Sequence, residues 1–548
     1  MNTNKTNFIF VIGGVMSGIG KGITVASTAR ILKDYGFKVT AVKIDPYLNV
    51  DAGTMNPIEH GEVFVTEDGM ECDQDIGNYE RFLDENILKD NYMTSGAVYR
   101  EVINRERDLG YNGKCVQIIP HVTDEIENRL LRVAKNSKAD FVLVEVGGTA
   151  GEYENLLFLE TARIMKLKMP GKVLFMLVSY LPIPEKLGEM KTKPTQHAVR
   201  ALNYAGIQPD IIIARSSRPL DEIRKNKIAL FCNVLPKDVI SAPDIGMIYE
   251  VPVNFEKDDL GKRILAKFNL KNKKNNFGVW QKLIKKIKTL KKPIKIGIVG
   301  KYFGSGDFIL TDSYISVIEA VKHAAWHLNL KPEIYWLNSE EFEKNPKKLS
   351  ELKNYDGLIV PGGFGSRGVE GKILAIGYAR KHKIPFLGLC YGMQLAAIEF
   401  ARNVLGLKGA HTTEVNPKTK YPIISTLPEQ EKRILNKKDL GGTMRLGAYT
   451  CELNPETKVY NLYKSKLITE RHRHRYEFNN EYKELFEKRG FLIAGLNPDR
   501  NLAEIIELKN HPYFVGTQFH PEFKSKLLHP HPLFIGLIKA AKELKYSG

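Results

Sequence analysis

The chain has 548 residues, enough for at least two domains that each bury a substantial core. Hydrophobic residues make up 43% and charged residues 26%, which excludes a disordered or fibrous chain, and no apolar run reaches the length of a membrane helix. The formal charge of +18 invites a nucleic-acid reading, but the lysines are spread among 63 acidic residues and no nucleic-acid motif accompanies them; they read as solvated surface and phosphate sites, with no nucleic acid and no membrane as partner.

The first apolar run, residues 7–13, leads into Gly13-Gly14-Val15-Met16-Ser17-Gly18-Ile19-Gly20-Lys21-Gly22 and then into a helical stretch from Ile23. A strand, a glycine loop and a helix opening at a lysine make an anion cradle, with backbone N–H groups and the helix dipole on the phosphates and Lys21 on the terminal ones. The loop departs from a standard P-loop: it has one residue too many before Gly20, and Gly22 stands where a hydroxyl would hold magnesium. The metal then needs other oxygen ligands, and two carboxylates qualify. Asp75 lies in an acidic loop, and Glu145 ends the apolar run 140–146 before Gly147-Gly148.

Runs at 38–44, 173–179 and 209–214 continue the pattern of buried parallel strands with helices between most of them. The composition breaks at Lys271-Asn272-Lys273-Lys274, followed by an amphipathic stretch with Trp280, Leu283, Ile284 and Ile287 on one face and then Pro293. This reads as an interdomain linker over residues 271–293 with a docked helix, between domains 1–270 and 294–548. Strand patterns resume at 295–299, 333–337, 357–360 and 385–389, so the fold class is α/β with two doubly wound domains. Residues 421–453, richer in glycine and threonine, read as inserted antiparallel strands. Gly300-Lys301 ends a strand like a phosphate loop but lacks a preceding glycine run. His472-Arg473-His474 and His529-Pro530-His531 read as structural, since the interleaved arginines repel a cation and the prolines break the spacing.

The run 385–389 breaks at Cys390, with Gly388 and Gly392 around it, and restarts as a helix; Gln518-Phe519-His520-Pro521-Glu522 follows near the C-terminal end. A strand-to-helix turn lifts the thiol and aims it at a helix N-terminus that favours thiolate, and the glycines are expected to let a substrate carbonyl approach. His520 and Glu522 read as facing the same way from a strand end, with Glu522 orienting the imidazole that takes the thiol proton. The other cysteines, Cys72, Cys115, Cys232 and Cys451, have neither paired nor metal-ligand spacing, which suits a reducing compartment; the first six residues lack a signal-peptide pattern, and the expected location is the cytoplasm.

Gly388-Leu389-Cys390-Tyr391-Gly392-Met393-Gln394 and His520-Pro521-Glu522 resemble the class I glutamine amidotransferases. That implies glutamine hydrolysis through a thioester on Cys390, with catalytic residues Cys390, His520 and Glu522. Tyr391 stands where many relatives carry leucine; its backbone N–H, with the Gly362-Gly363 region, is implied to form the oxyanion hole. The phosphate loop, Lys43-Ile44-Asp45-Pro46-Tyr47, His60-Gly61-Glu62-Val63-Phe64, Glu145-Val146-Gly147-Gly148-Thr149, Lys191-Thr192-Lys193-Pro194-Thr195-Gln196, Gly441-Gly442-Thr443 and Glu470-Arg471-His472-Arg473-His474-Arg475 are together similar to the CTP synthase family over nearly the whole chain.

This second resemblance implies a P-loop amidoligase of the dethiobiotin-synthetase type fused to a class I glutamine amidotransferase. The implied reaction is ATP-dependent amination of UTP to CTP through a 4-phosphorylated intermediate, with ammonia passed between domains. By motif, Ser17, Gly18, Ile19, Gly20, Lys21, Gly22, Lys43 and Asp75 would serve ATP and phosphoryl transfer, and Asp75 and Glu145 would hold Mg²⁺. UTP or CTP would fall to Ser17, Glu152, Glu154, Lys191, Thr192, Lys193, Gln196 and Lys227, across a subunit interface of a homotetramer. Glutamine would fall to Gly363, Tyr391, Gln394, Glu414 and Arg471. The resemblance further implies CTP as feedback inhibitor and GTP as allosteric activator. Two other readings stay open on the residues: a cobyrinic-acid-type synthase that amidates an acid, and a partition-type P-loop ATPase with a regulatory C-terminal half.

Overall fold

The computed structural model describes residues 5–55, 61–301, 311–426 and 444–546. Two compact units emerge, Met1–Ala52 with Asp75–Lys286, and Gly53–Gln74 with Ile287–Gly548. Of the motifs singled out above, His60 and Gly441-Gly442-Thr443 lie outside the described residues.

The first unit is built on a seven-stranded parallel sheet. Its strands run in the order Tyr92–Thr94, Val39–Asp45, Phe141–Val146, Asn7–Gly14, Val173–Tyr180, Ile211–Ser216 and Val239–Pro243. All eight residues of Asn7–Gly14 are buried, as expected of a central strand covered on both faces. Phe8, Phe10 and Ile12 meet Val142, Val144 and Val146 in one apolar layer beneath the helices Thr123–Ser137 and Leu156–Lys168. Strand order reverses about Asn7–Gly14, which opens a crevice at the C-terminal ends of the strands, where such sheets bind ligands. Val239–Pro243 and Tyr92–Thr94 had not been expected; they are short edge strands with little pattern of their own.

The amphipathic stretch forms the helix Phe277–Lys288. Trp280 is fully buried, donates its indole N–H to the Tyr249 carbonyl at 2.9 Å and lies under the Arg30 guanidinium, while Phe277, Ile284 and Ile287 are also buried. Leu283, expected on the same face, is only half-buried.

The second unit holds a nine-stranded mixed sheet in the order Lys331–Asn338, Pro293–Gly300, Gly357–Val360, Phe386–Leu389, Phe514–Thr517, Leu502–Leu508, Phe491–Asn497, Arg445–Leu453 and Leu467–His474. The first five are parallel and the rest antiparallel. Within 421–453, Pro422–Thr426 pairs antiparallel with Tyr476–Phe478 in a separate small sheet, and Arg445–Leu453 joins the large one. Gly53–Gln74 carries a hairpin of Val63–Val65 and Glu71–Asp73. Its Glu67 and Glu71 accept from Arg471 and Arg473, each at 2.8 Å.

Candidate active sites

Cys390 sits between the strand Phe386–Leu389 and the helix Tyr391–Asn403, with φ 47° and ψ −99°. Backbone of this kind on a non-glycine residue costs on the order of 1–3 kcal/mol and persists where its surroundings enforce it. The enforcement is visible. Cys390 N–H donates to the Thr517 carbonyl at 2.6 Å, and the Cys390 carbonyl accepts the Met393 and Gln394 amides as the helix begins. The flanking glycines serve this packing: a Cβ on Gly392 would lie 2.1 Å from the Val360 carbonyl oxygen, and one on Gly388 would lie 2.8 Å from the Gly392 backbone. Their role differs from the expected one of admitting substrate; they let strand and helix close to a distance no side chain permits.

His520 lies just before the 3₁₀ turn Pro521–Lys524, not on a strand end, yet the turn brings Glu522 Oε1 to 2.7 Å from His520 Nδ1. The ring stacks on Phe523. Burial disfavours the imidazolium, but Glu522 and the Cys390 sulfur outweigh it and raise the His520 pKa to about 10. A Cβ on Gly362 would fall 2.9 Å from His520 Cε1 and 3.8 Å from Cys390 Cβ, so thiol, imidazole and the loop 361–368 share one corner. Gln518 Nε2 lies 3.7 Å from the Cys390 sulfur. This constellation can pass a proton between thiol and imidazole while the carboxylate holds the ring, the requirement for nucleophilic attack on a carbonyl.

A cavity of about 590 Å³ opens on this corner and is lined by Cys390, His520, Glu522, Gly362, Gly363, Phe364, Gln394, Glu414, Arg473 and Arg475, among others. Among the expected glutamine ligands, Gly363, Gln394 and Glu414 line it. The Gln394 amide is already engaged, donating to the Tyr476 carbonyl at 2.9 Å and to Gln518 at 3.2 Å. Glu414 accepts the Gly365 N–H at 2.8 Å, and burial raises its pKa. Arg471 is a correction. It is wholly buried, donates to Glu67 and to the Val65 carbonyl, and lies over the Phe64 ring, away from the cavity lining. The strand Leu467–His474 ends one residue before Arg475, and it is Arg475 that lines the cavity.

Sequence reasoning also missed Lys301 and Lys372. Lys301, set aside above as an imitation phosphate loop, donates to the Phe364 carbonyl. Lys372 is buried beside Gly363 with no hydrogen-bond partner for its amine among the described residues, and burial, with Lys301 adding, lowers its pKa to about 7. A lysine just before the apolar run 373–377 was the available signal.

In the first unit the glycine loop precedes the helix Lys21–Asp34, with Gly20 at φ 87°. Lys21 Nζ donates to the Gly148 carbonyl at 3.0 Å; burial lowers its pKa against the pull of Glu145 and Asp75. Lys43 Nζ meets Asp75 Oδ2 at 2.5 Å and Glu145 Oε1 at 3.0 Å, and Tyr79 donates to the other Glu145 oxygen. Burial opposes ionisation of Asp75, but Lys43 and Asn78 hold its pKa below the ordinary value. Burial and the neighbouring Asp75 push Glu145 up to about 7 despite Lys43. A Cβ on Gly22 would sit 2.0 Å from Asp75 Oδ1, so the carboxylate fills the space a P-loop hydroxyl residue would need. Among the described residues no cluster of three or more His, Cys, Asp or Glu has metal-site geometry. The two carboxylates thus offer two oxygen donors, the number Mg²⁺ takes from protein when phosphates and water supply the rest.

Ser17 and Gly18 are exposed, Ile19 is buried and Gly20 half-buried at the loop. Glu152 Oε2 accepts the Thr149 N–H at 2.9 Å and contributes to the field at Lys21, while Glu154 is exposed. Lys191 pairs with Glu189 at 2.7 Å, and the same carboxylate feels Arg224 and Lys227. Lys193 opens the helix Lys193–Tyr204, and Gln196 donates to Thr192 Oγ1 at 3.2 Å. Arg215, unremarked in the sequence, lies next to the end of the strand Ile211–Ser216, with Nε 3.9 Å from a Cβ position on Gly20, and pairs with Asp244.

Residues 7–270 match the family model "CTP synthase N-terminus" and residues 309–540 the model "Glutamine amidotransferase class-I". The chain is 51% identical over 542 residues to a CTP synthase of Caldanaerobacter subterraneus subsp. tengcongensis, covering 98% of this chain and 99% of the relative. It is 52% identical over 542 residues to a CTP synthase of Pyrococcus abyssi, covering 98% of each. With a CTP synthase of Bacillus subtilis it shares 49% over 540 residues, 98% of this chain and 99% of the relative. The solved glutaminase domain of Trypanosoma brucei CTPS with bound acivicin is 33% identical and covers 46% of this chain and 94% of that one, with a TM-score of 0.42. The full-length relatives displace both the acid-amidating and the partition-ATPase readings: this chain belongs to the CTP synthase family, its C-terminal part being a class I glutamine amidotransferase.

Proposed function

We propose that the chain makes CTP by ATP-dependent amination of UTP with ammonia released from glutamine, a ligase step of pyrimidine nucleotide synthesis. The observation that carries this is the pairing, in one chain 98–99% co-extensive with CTP synthases, of a Cys390–His520–Glu522 corner with a lysine- and carboxylate-lined phosphate loop. Residues 1–270 act as the amidoligase and 294–548 as the amidotransferase, joined through 271–293.

In the glutaminase half, Cys390 attacks the glutamine amide and the Gly363 and Tyr391 amides take the developing oxyanion. The pKa of His520 keeps its proton available across the neutral range, for delivery to the departing ammonia. Glu414 meets the substrate ammonium, and Arg475, rather than Arg471, meets its carboxylate. Water then frees glutamate from the thioester.

In the synthase half, Lys21, Lys43 and the loop 17–22 hold the ATP phosphates and Lys43 follows the phosphoryl group as it moves to the uracil 4-oxygen. Lys191, Lys193, Gln196, Thr192, Lys227 and Ser17 hold the UTP triphosphate, and Glu152 and Glu154 read a bound cytidine. Asp75 and Glu145 would hold Mg²⁺, which would supply positive charge for phosphoryl transfer. Their fit rests on geometry: Asp75 and Glu145 meet the same Lys43 ammonium, at 2.5 and 3.0 Å, which sets the two carboxylates side by side. GTP activation, CTP feedback, a homotetramer and a cytoplasmic location complete the reading. Exposed Ile223, Leu230 and Phe231 on the helix Glu222–Cys232 support assembly, since a partner would cover them. No helix among the described residues is long and apolar enough to cross a membrane.

The test supplies UTP, ATP and Mg²⁺ with glutamine or with ammonia and follows CTP by chromatography. CTP is expected from both nitrogen sources, and Cys390→Ala is expected to lose only the glutamine-dependent product. Absence of CTP from either source, with ATP still hydrolysed, would overturn the reading.

A further inference from the structure

We propose that the Tyr391 side chain is a positioning residue of the glutaminase half, a strap whose hydroxyl ties the nucleophile turn to the loop carrying the oxyanion-binding amide. The proposal rests on the glutaminase reading above and adds to it a role for a side chain that the backbone mechanism leaves unused.

The loop 361–368 turns at Gly365, which has φ 76°. Its peptide groups are held one after another. The Phe364 carbonyl takes the Lys301 ammonium, the Gly365 N–H goes to Glu414 at 2.8 Å, and the Gly365 carbonyl accepts the Tyr391 hydroxyl at 3.0 Å. The first two anchors come from side chains on other segments. The third comes from the residue directly after Cys390, so of the three it is the one that ties the loop to the nucleophile turn.

A tyrosine suits this task. Tyr391 is 2% exposed, and two stiff side-chain torsions carry its hydroxyl across to the loop. The Lys372 amine lies 5.7 Å from the ring centre, and a Cβ on Gly363 would be 3.7 Å from that amine and 3.9 Å from Tyr391 Cδ1. The ring thus backs the same glycine whose N–H is assigned to the oxyanion. Gly365 is only half-buried, so water can take over its carbonyl if the hydroxyl is lost. The hydroxyl therefore contributes alignment more than stability. Oxyanion donors act only when correctly placed as charge develops, so misalignment appears in kcat rather than in substrate affinity.

The experiment uses full-length Tyr391→Phe, which keeps the ring and deletes the hydroxyl. Glutamine hydrolysis is expected to lose about three- to tenfold in kcat with KM unchanged, the scale of one hydrogen bond. Amide hydrogen exchange in a peptide covering 361–368 is expected to quicken, while Tm and ammonia-supported CTP synthesis match the parent. A variant with parental kcat, or one whose KM rises while kcat holds, would overturn the strap and leave the Tyr391 ring as packing against Gly363 only. A parent that releases no glutamate from glutamine would instead overturn the underlying functional reading, so the two failures are distinct.

Discussion

Gly22→Ser would restore the hydroxyl that phosphate loops of the standard kind carry after their lysine, and by motif alone it should improve metal binding. The structure predicts the opposite. The new Cβ would stand 2.0 Å from Asp75 Oδ1 and 2.5 Å from its Cγ, whereas ordinary contact begins at 3.4 Å, so the carboxylate must retreat by about 1.4 Å. That retreat opens the 2.5 Å Lys43–Asp75 pair, whose ammonium is buried and whose carboxylate is only 22% exposed. Breaking a buried pair costs about 3–5 kcal/mol, and each 1.36 kcal/mol charged to the transition state lowers the rate tenfold. Ammonia-supported CTP synthesis in Gly22→Ser should therefore fall about a hundredfold or more at saturating ATP and UTP, with glutamine hydrolysis serving as the control for the second unit. A double-mutant cycle isolates the cause. If the collision with Asp75 is responsible, adding Gly22→Ser to Asp75→Ala should cost little beyond Asp75→Ala alone. Parental synthesis by Gly22→Ser, or full additivity in the cycle, would refute the reasoning.

Glu522→Gln should move the alkaline limb of glutamine hydrolysis about one to two units lower, measured as kcat against pH, because the carboxylate is what holds the His520 proton up to about 10. The raised folded value also fixes the sign for stability: the His520 contribution is fully present below the ordinary 6.5 and is lost as pH rises toward about 10. Parent and variant should thus differ most in Tm at acid pH and converge in alkali. Gly392→Ala should lower Tm by several degrees and abolish glutaminase activity, since its Cβ would meet the Val360 carbonyl at 2.1 Å and neither partner is a flexible side-chain end. Arg445→Met should cost about 3–5 kcal/mol in denaturant titration, because it strands Glu477 and Glu504, which the guanidinium now meets at 3.0 and 2.8 Å. Burial already lifts Glu477 to about 8 with the guanidinium in place, so the gap between parent and variant should widen as pH rises past about 8, where the parent's carboxylate ionises and the variant's resists.

Features that announce themselves locally were legible in the sequence. The central strands carry unbroken apolar runs, the glycine loop and Lys21 adjoin the first of them, and Cys390 interrupts another between glycines. Trp280 and Ile284 marked the docked face of the helix Phe277–Lys288 by their spacing alone. Features settled by distant partners were hidden. Arg471 and Arg475 look interchangeable in an alternating His-Arg tract, and only Glu67, some four hundred residues away, decides that Arg471 is consumed in an ion pair. The glycine at position 22 likewise looked like a missing ligand until Asp75 was seen to occupy its side-chain space. The 3₁₀ turn after His520 was obscured by Pro521, which is as compatible with a turn as with the end of a strand.

The hairpin in Gly53–Gln74 has a consequence for how the polypeptide is made. Its partners Arg471 and Arg473 lie 404 and 402 positions downstream, and Ala448 N–H, which donates to the Glu67 carbonyl at 2.8 Å, lies nearly as far. At about 5–20 residues per second, translation leaves that hairpin without its neighbours for roughly 20–80 s after it is synthesised. A gene cut at the linker would for the same reason yield a C-terminal fragment whose Arg471 and Arg473 lack the carboxylates of Glu67 and Glu71, so fragment and full chain should differ at that edge of the large sheet.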